Sequence, residues 1–177
     1  MGPHLGSADK YHFATESKIQ FYLRCATVED AKLIFDLSNE NLVRKNSINP
    51  NSIEWEDHLK WLPNKVNDKN CFYLLAFSIE NAFIGQIRID VTNEEAIIGI
   101  SITHEFRGKG LSTDLLIHSA ESFFRSYPQV NFVTAKINRN NKASINTFIK
   151  AGYIYSHKES INNNEFLVFK LVRKNEA

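Results

Sequence analysis

Between residues 71 and 103 three strand-like stretches follow one another with only tight turns between them, and that spacing constrains the fold more than any other feature. Residues 71–79 (CFYLLAFSI) are apolar almost throughout, as expected of a strand covered on both faces. Asn81 marks a turn, 82–91 (AFIGQIRIDV) reads as the second strand, Asn93 marks another turn, and 95–103 (EAIIGISIT) reads as the third. Such short links join antiparallel neighbours, so the three strands form a meander. On the middle strand Gln86, Arg88 and Asp90 share one face by the two-residue period. That face reads either as one wall of a pocket or as a solvated surface.

The flanking sequence supplies helices and more strands. Residues 18–26 alternate, with Ile19, Phe21, Leu23 and Cys25 on one side of a strand. Thr27 followed by Asp30 resembles a capping box and opens a helix expected to reach Asn39. Residues 40–51, rich in Asn and Ser, read as a loop. Ser52 is expected to cap a second helix that carries Trp55, His58, Trp61 and Leu62 and ends near Pro63. After the meander, 111–126 is an amphipathic helix, 131–137 a strand, and 141–151 a short helix closed by Gly152. Residues 153–158 and 165–172 form a last hairpin that turns at Asn162–Asn164. The order implies an α/β protein of the α+β kind: a central mixed, mostly antiparallel sheet of about seven strands with helices on both faces.

One domain over 18–177 is expected, behind a loose tail at 1–17. Lys plus Arg is 21 against 20 Asp plus Glu, so no strongly basic face marks a nucleic-acid partner and no polybasic segment marks a membrane partner. Two cysteines do not make a disulfide framework, and no Cys/His cluster has metal-ligand spacing. With no stretch of 18 apolar residues, a cytoplasmic protein is expected.

The chemistry concentrates in Arg107-Gly108-Lys109-Gly110-Leu111-Ser112, where a strand ends, a loop follows and a helix begins. The glycines free the backbone to approach a ligand, and amides at a helix N-terminus make an anion site. Arg107 and Lys109 add positive charge. A second segment, Asn138-Arg-Asn-Asn141-Lys-Ala-Ser144-Ile-Asn-Thr-Phe148, follows the next strand. Read by itself, Asn141 is a good helix N-cap.

The first segment resembles the acetyl-CoA pyrophosphate loop of GCN5-related (GNAT) acetyltransferases, Arg/Gln-x-x-Gly-x-Gly/Ala, with Ser112 in place of the last small residue. The second resembles that family's Asn-x-x-Ser-Ile-x-x-Phe/Tyr. The resemblance spans roughly 18–172. It implies acetyl-CoA as co-substrate, held by Arg107, Gly108, Lys109, Gly110, Leu111 and Ser112, by backbone near Ile100 and Ile102 on splayed strands, and by Asn138, Asn141, Ser144 and Phe148. A backbone N–H near Ile100 is then the expected oxyanion donor.

Many relatives place a general-acid Tyr where this chain has Phe148. Tyr153 and Tyr155 are the nearby alternatives, and the general-base candidates are His104, Asp90, Glu94 and Glu95. The acceptor is expected to be a small-molecule amine bound by Arg44, Asn46, Gln86 and Arg88. The pattern around Arg44, His58, Trp61 and Arg88 resembles a subgroup that acetylates nucleotide-linked 4-amino-deoxysugars, although Leu37-Ser38-Asn39 departs from the subgroup's Trp-Arg-Asn. A protein N-terminal acetyltransferase of the ribosomal-protein type and a non-catalytic acetyl-CoA sensor are the alternatives. A homodimer stays open.

Overall fold

The computed structural model describes residues 11–13, of which only the backbone is considered, together with 19–92 and 95–174. Glu94 lies outside these residues, as does most of the expected tail at 1–17. Within that tail, Tyr11–Phe13 (β1) is a strand, which departs from the loose reading over those three residues. It pairs antiparallel with Phe21–Cys25 (β2), whose outer edge would otherwise present unpaired backbone groups.

A 3-10 turn at Val28–Asp30 leads into α1 (Ala31–Ser38). The Asp30 carboxylate accepts a 2.8 Å bond from the Thr27 N–H and is gripped by Arg24 at 2.6 Å. α2 (Asn41–Asn46) and α3 (Trp55–Val66) follow, then β3 (Cys71–Ser78), β4 (Phe83–Thr92) and β5 (Glu95–Ile102). α4 (Leu111–Ser126), β6 (Phe132–Asn138), α5 (Lys142–Lys150), β7 (Ile154–Ile161) and β8 (Asn164–Val172) complete the chain. The sheet order is β1-β2-β3-β4-β5-β6-β8-β7, and only the β5–β6 pair is parallel. The expected mixed sheet is present, with β1 added at one edge.

β3 shows why its sequence is apolar throughout. Phe72, Leu74 and Ala76 enter one core with Ile87, Ile89, Leu115 and Phe123. Tyr73, Leu75 and Phe77 enter a second core with Ile34, Leu62 and Trp61. α4 and α5 therefore cover one face of the sheet, and α1 and α3 cover the other.

Three local expectations are corrected. Residues 41–46, read as loop, are helical, because Arg44 binds the turn that contains them from within. α3 starts at Trp55 rather than beside Ser52: Asn39 holds Ile53 extended through bonds to both its N–H (2.8 Å) and its carbonyl (3.0 Å). It also runs past Pro63 to Val66, since a proline removes one N–H and the last turn closes by Asn67 donating to the Pro63 carbonyl. The last hairpin turns on Asn162 and Asn163, both at positive φ (50° and 61°), as a two-residue hairpin turn requires.

Candidate functional site

The glycine loop is built by the end of β5. A 3-10 turn at His104–Phe106 leads into it, and α4 begins at Leu111. Gly108 and Gly110 hold φ of +72° and +80°, and left-handed Gly110 is the residue on which the helix starts. Backbone of this shape turns successive N–H groups toward one point, and the first-turn amides of α4 have no intrahelical acceptor. A Cβ placed on Gly108 would meet nothing within 4 Å, so the glycine serves the backbone angle and leaves an open concavity. The Arg107 guanidinium pairs with the Glu40 carboxylate, and the Lys109 ammonium lies 5.1 Å over the Phe106 ring. Both loop cations are thus held at the rim of the cradle.

Beside the loop the sheet opens. β5 and β6 pair only through Ala96–Ile98 against Val133–Ala135. Beyond that, β5 runs on to Ile102 and β6 to Asn138 with no pairing between them among the described residues. Backbone groups along residues 99–102 on that edge are left for a ligand that can hydrogen-bond as a strand does. Ile102 is buried beneath α4 and Ile100 packs partly against the same core, so side chains fix the edge whose backbone lines the opening.

On the far bank, Asn138 Oδ1 accepts from the Asn140 N–H at 3.0 Å and Asn141 Oδ1 accepts from the Ser144 N–H at 3.1 Å. Asn141 is the N-cap of α5, as its sequence position predicts, and its amide NH2 remains to serve a ligand. Phe148 lies deeper than the cofactor reading places it: it is 3% exposed and packs edge-on to Tyr153 with centroids 4.9 Å apart. Tyr153 is also core. Its hydroxyl is buried, has no partner among the described residues, and is pushed by burial above the usual phenol range.

The other titratable candidates are placed as follows. Tyr155 stands half exposed on β7 against Phe169. Glu95 begins β5, at the end of the strand away from the opening. His104 is exposed, with Nδ1 3.3 Å from Glu105. The Asp90 carboxylate receives Lys65 on one oxygen and Arg88 on the other, each at 2.8 Å. Burial would raise its pKa, but the two cations outweigh burial and hold it below the usual carboxylate range. No group of three or more His, Cys, Asp or Glu among the described residues is arranged to hold a metal.

The acceptor candidates divide sharply. Arg44 donates to the carbonyls of Ser38 (2.7 Å), Asn49 (3.2 Å) and Asn51 (3.1 Å) and to Ser47 Oγ (3.0 Å). Its guanidinium is spent as a staple inside the 38–51 segment. Asn46 donates to the Leu42 carbonyl at 2.8 Å, within its own helix. Gln86, Arg88 and Asp90 do share a face, the one beneath α1 and α3. Tyr73 Oη donates to Gln86 Oε1 at 2.6 Å, and Gln86 Nε2 donates to Ser38 Oγ at 3.0 Å. The Arg88 guanidinium stacks 5.1 Å from the Trp61 ring and 5.9 Å from that of Tyr73. Tyr73 and Lys65 escape a linear reading. Tyr73 looks like one more residue of a buried strand, and only its register opposite Arg88 marks it.

Comparison with known proteins agrees with this geometry. Residues 20–154 match the family model described as Acetyltransferase (GNAT) domain. No curated protein matches the chain. Among solved structures, aminoglycoside acetyltransferase AAC(6')-Ib in complex with coenzyme A is similar, with a TM-score of 0.74 at 17% identity over 86% of this chain and 95% of that one. The spermidine N-acetyltransferase from Vibrio cholerae in complex with CoA and spermine gives 0.77 at 15% identity over 86% and 95%. An uncharacterized protein from Bacillus halodurans gives 0.77 at 18% identity over 94% and 92%. At these identities the structures speak for the fold, and the family model speaks for the family: the chain belongs to the GNAT acetyltransferases, acetyl-CoA-dependent N-acetyltransferases.

Proposed function

We propose that this enzyme acetylates the primary amine of a small, polar acceptor by direct attack, without a covalent enzyme intermediate. One observation carries the reading: the opening between β5 and β6 lies beside the left-handed glycine loop, so a diphosphate cradle and a backbone-lined slot adjoin. That combination fits acetyl-CoA. The amides of residues 108–112 with Arg107 and Lys109 would hold its diphosphate, the 99–102 backbone its extended arm, and the Asn141 amide one of the arm's carbonyls. When bound, acetyl-CoA supplies the activated thioester. The chain's own contribution is to fix an N–H donor near Ile100 where negative charge develops, and to present the amine from the face lined by Gln86, Arg88 and Trp61.

For the acceptor, the finer reading is an amino group on a nucleotide-linked sugar. Trp61 and Tyr73 supply apolar walls, and Gln86 with Ser38 supplies hydrogen-bonding groups suited to hydroxyls. The chain is read as cytoplasmic. Burial together with Asp90 pushes the Cys71 thiol up to about 12, which makes it inert.

Free-thiol release from acetyl-CoA tests the function, with UDP- and TDP-linked amino sugars set against spermidine and an N-terminal peptide. Turnover is expected with at least one small amine, and a sugar nucleotide is expected to lead by about tenfold in kcat/KM, the range that pocket contacts deliver. Preference for the peptide would move the reading to a protein N-terminal acetyltransferase. Cofactor binding without turnover of any amine would leave a sensor.

A further inference from the structure

We infer that the acceptor carries an anionic group, and that Arg88 is the residue that selects for it. The inference rests on the acetyltransferase reading and adds to it the residue that reads the acceptor's charge, whether or not the acceptor is a nucleotide sugar.

Arg88 is unusually well prepared. Its Nε donates to Asp90 Oδ2 at 2.8 Å, which fixes the plane of the guanidinium. Trp61 and Tyr73 flank that plane at 5.1 and 5.9 Å, so the group is held by stacking as well as by the ion pair. Lys65 occupies the other oxygen of Asp90, which leaves the carboxylate fully engaged. Neither Nη of Arg88 has a hydrogen-bond partner among the described residues, and its side chain is 38% exposed. A rigid guanidinium with both terminal nitrogens available is the geometry that binds a carboxylate or phosphate by two parallel bonds.

Space exists where such an anion would sit. Gly99 is the cross-strand partner of Arg88, and a Cβ placed on it would meet nothing within 4 Å. Gly99 is also the first β5 residue past the last β5–β6 pair, so this space adjoins the opening assigned to the acetyl-bearing arm. The anion and the amine of one small molecule can therefore lie on either side of Gly99. Lys65 also lies 4.0 Å from Asp68, so the carboxylates of this wall are engaged by Lys65 and by the Nε of Arg88, and the terminal nitrogens of Arg88 are the cationic groups left to an anion. A polycation would meet the terminal nitrogens of Arg88, which carry positive charge and have no hydrogen-bond partner among the described residues.

The test uses amines that share the pyranose ring and differ in the anion: glucosamine, glucosamine 1-phosphate and 2-amino-2-deoxyglucuronic acid, with spermidine as the polycation. Binding is measured by calorimetry in the presence of coenzyme A, and turnover by thiol release. Either anionic amine is expected to bind about tenfold or more tighter than glucosamine, as charge-assisted bidentate contacts allow. The phosphate and carboxylate arms show which anion the site takes. Arg88→Met keeps the length of the side chain and the contact with Trp61, and should bring the ratio of anionic to neutral amine affinity down to about one. Arg88→Lys should restore part of the preference. Equal binding of charged and uncharged amines, tighter binding of spermidine, or an anion preference that survives Arg88→Met would each overturn the inference. Absence of turnover with every amine would fail the acetyltransferase reading instead, and the binding series would still decide the anion site.

Discussion

Gly110 is the residue on which the cofactor cradle turns. Its φ of +80° lies where a side chain costs strain, and it is the residue from which α4 departs. Gly110→Asp adds that strain to a carboxylate aimed at the site of a diphosphate. Acetyl-CoA binding should weaken by at least about 2 kcal/mol, roughly 30-fold, on calorimetry of a variant whose circular dichroism is unchanged. Retained affinity would place the diphosphate elsewhere. Gly99 is glycine for a different reason. It stands in extended strand with open space above it, so Gly99→Val should reduce kcat/KM for the acceptor at least about tenfold while acetyl-CoA binding persists, because branched carbons would fill the space opposite Arg88. Both glycines are visible in the sequence, but only Gly110 announces its role there. A glycine inside a strand pattern marks close approach or open space equally well, and the two differ only once the neighbouring strand is in place.

At the level of elements, periodicity made β3, β4, β5, α4 and the last hairpin legible, because each repeats an apolar spacing over many residues. The pair Asn138 and Asn141 could be read from its position between a strand and a helix. What stayed hidden depends on contacts distant in sequence. α2 forms because Arg44 reaches back to Ser38 and forward to Asn51, and such a staple has no local signature. The same contacts occupy the Arg44 guanidinium, whereas the terminal nitrogens of Arg88, a similar arginine by sequence, make no hydrogen bond among the described residues. The turn of α3 beyond Pro63 matters too, since it carries Lys65 to Asp90. His58 shows how α3 and α1 are joined. It is 2% exposed, and its Nε2 donates to the Ala31 carbonyl at 2.8 Å between the Trp55 and Trp61 rings. Burial pulls its pKa below the ordinary 6.5, while the bond to Ala31 opposes this only in part. The unfolded chain therefore takes up this proton at higher pH than the folded chain. Stability should decline as pH falls from about 6.5 through the depressed folded value, and the contribution is absent above that window. Urea denaturation at pH 7.5 and pH 5.5 should show a smaller difference in His58→Gln than in the parent chain. An equal difference would mean that His58 titrates alike in the folded and unfolded chains.

Across the whole molecule, one weak seam governs how the ligand and the fold depend on each other. The sheet is continuous, but β1–β5 and β6–β8 are joined at its centre by only three parallel residue pairs, 96–98 with 133–135. In the proposed binding mode the arm of acetyl-CoA would bridge the two banks just past that seam, while its diphosphate would sit at the start of α4. Binding to the native state alone stabilises by mass action: about 2.7 kcal/mol at 100 times Kd, and each kcal/mol moves the melting temperature of a chain this size by roughly 2–4 °C. Acetyl-CoA at that excess should therefore raise Tm by about 5–11 °C. At the same concentration adenosine 3',5'-bisphosphate, which has the anionic end and no arm, should raise it less, because it reaches the loop and leaves the seam unbridged. Amide hydrogen exchange locates the difference: acetyl-CoA should slow exchange along 99–102 on β5 and 136–138 on β6, and the fragment should slow only the start of α4. Equal Tm shifts and equal protection from the two ligands would mean that the opening between β5 and β6 is not where the arm lies, and the acceptor face beside Gly99 would then lose its place next to the reacting thioester.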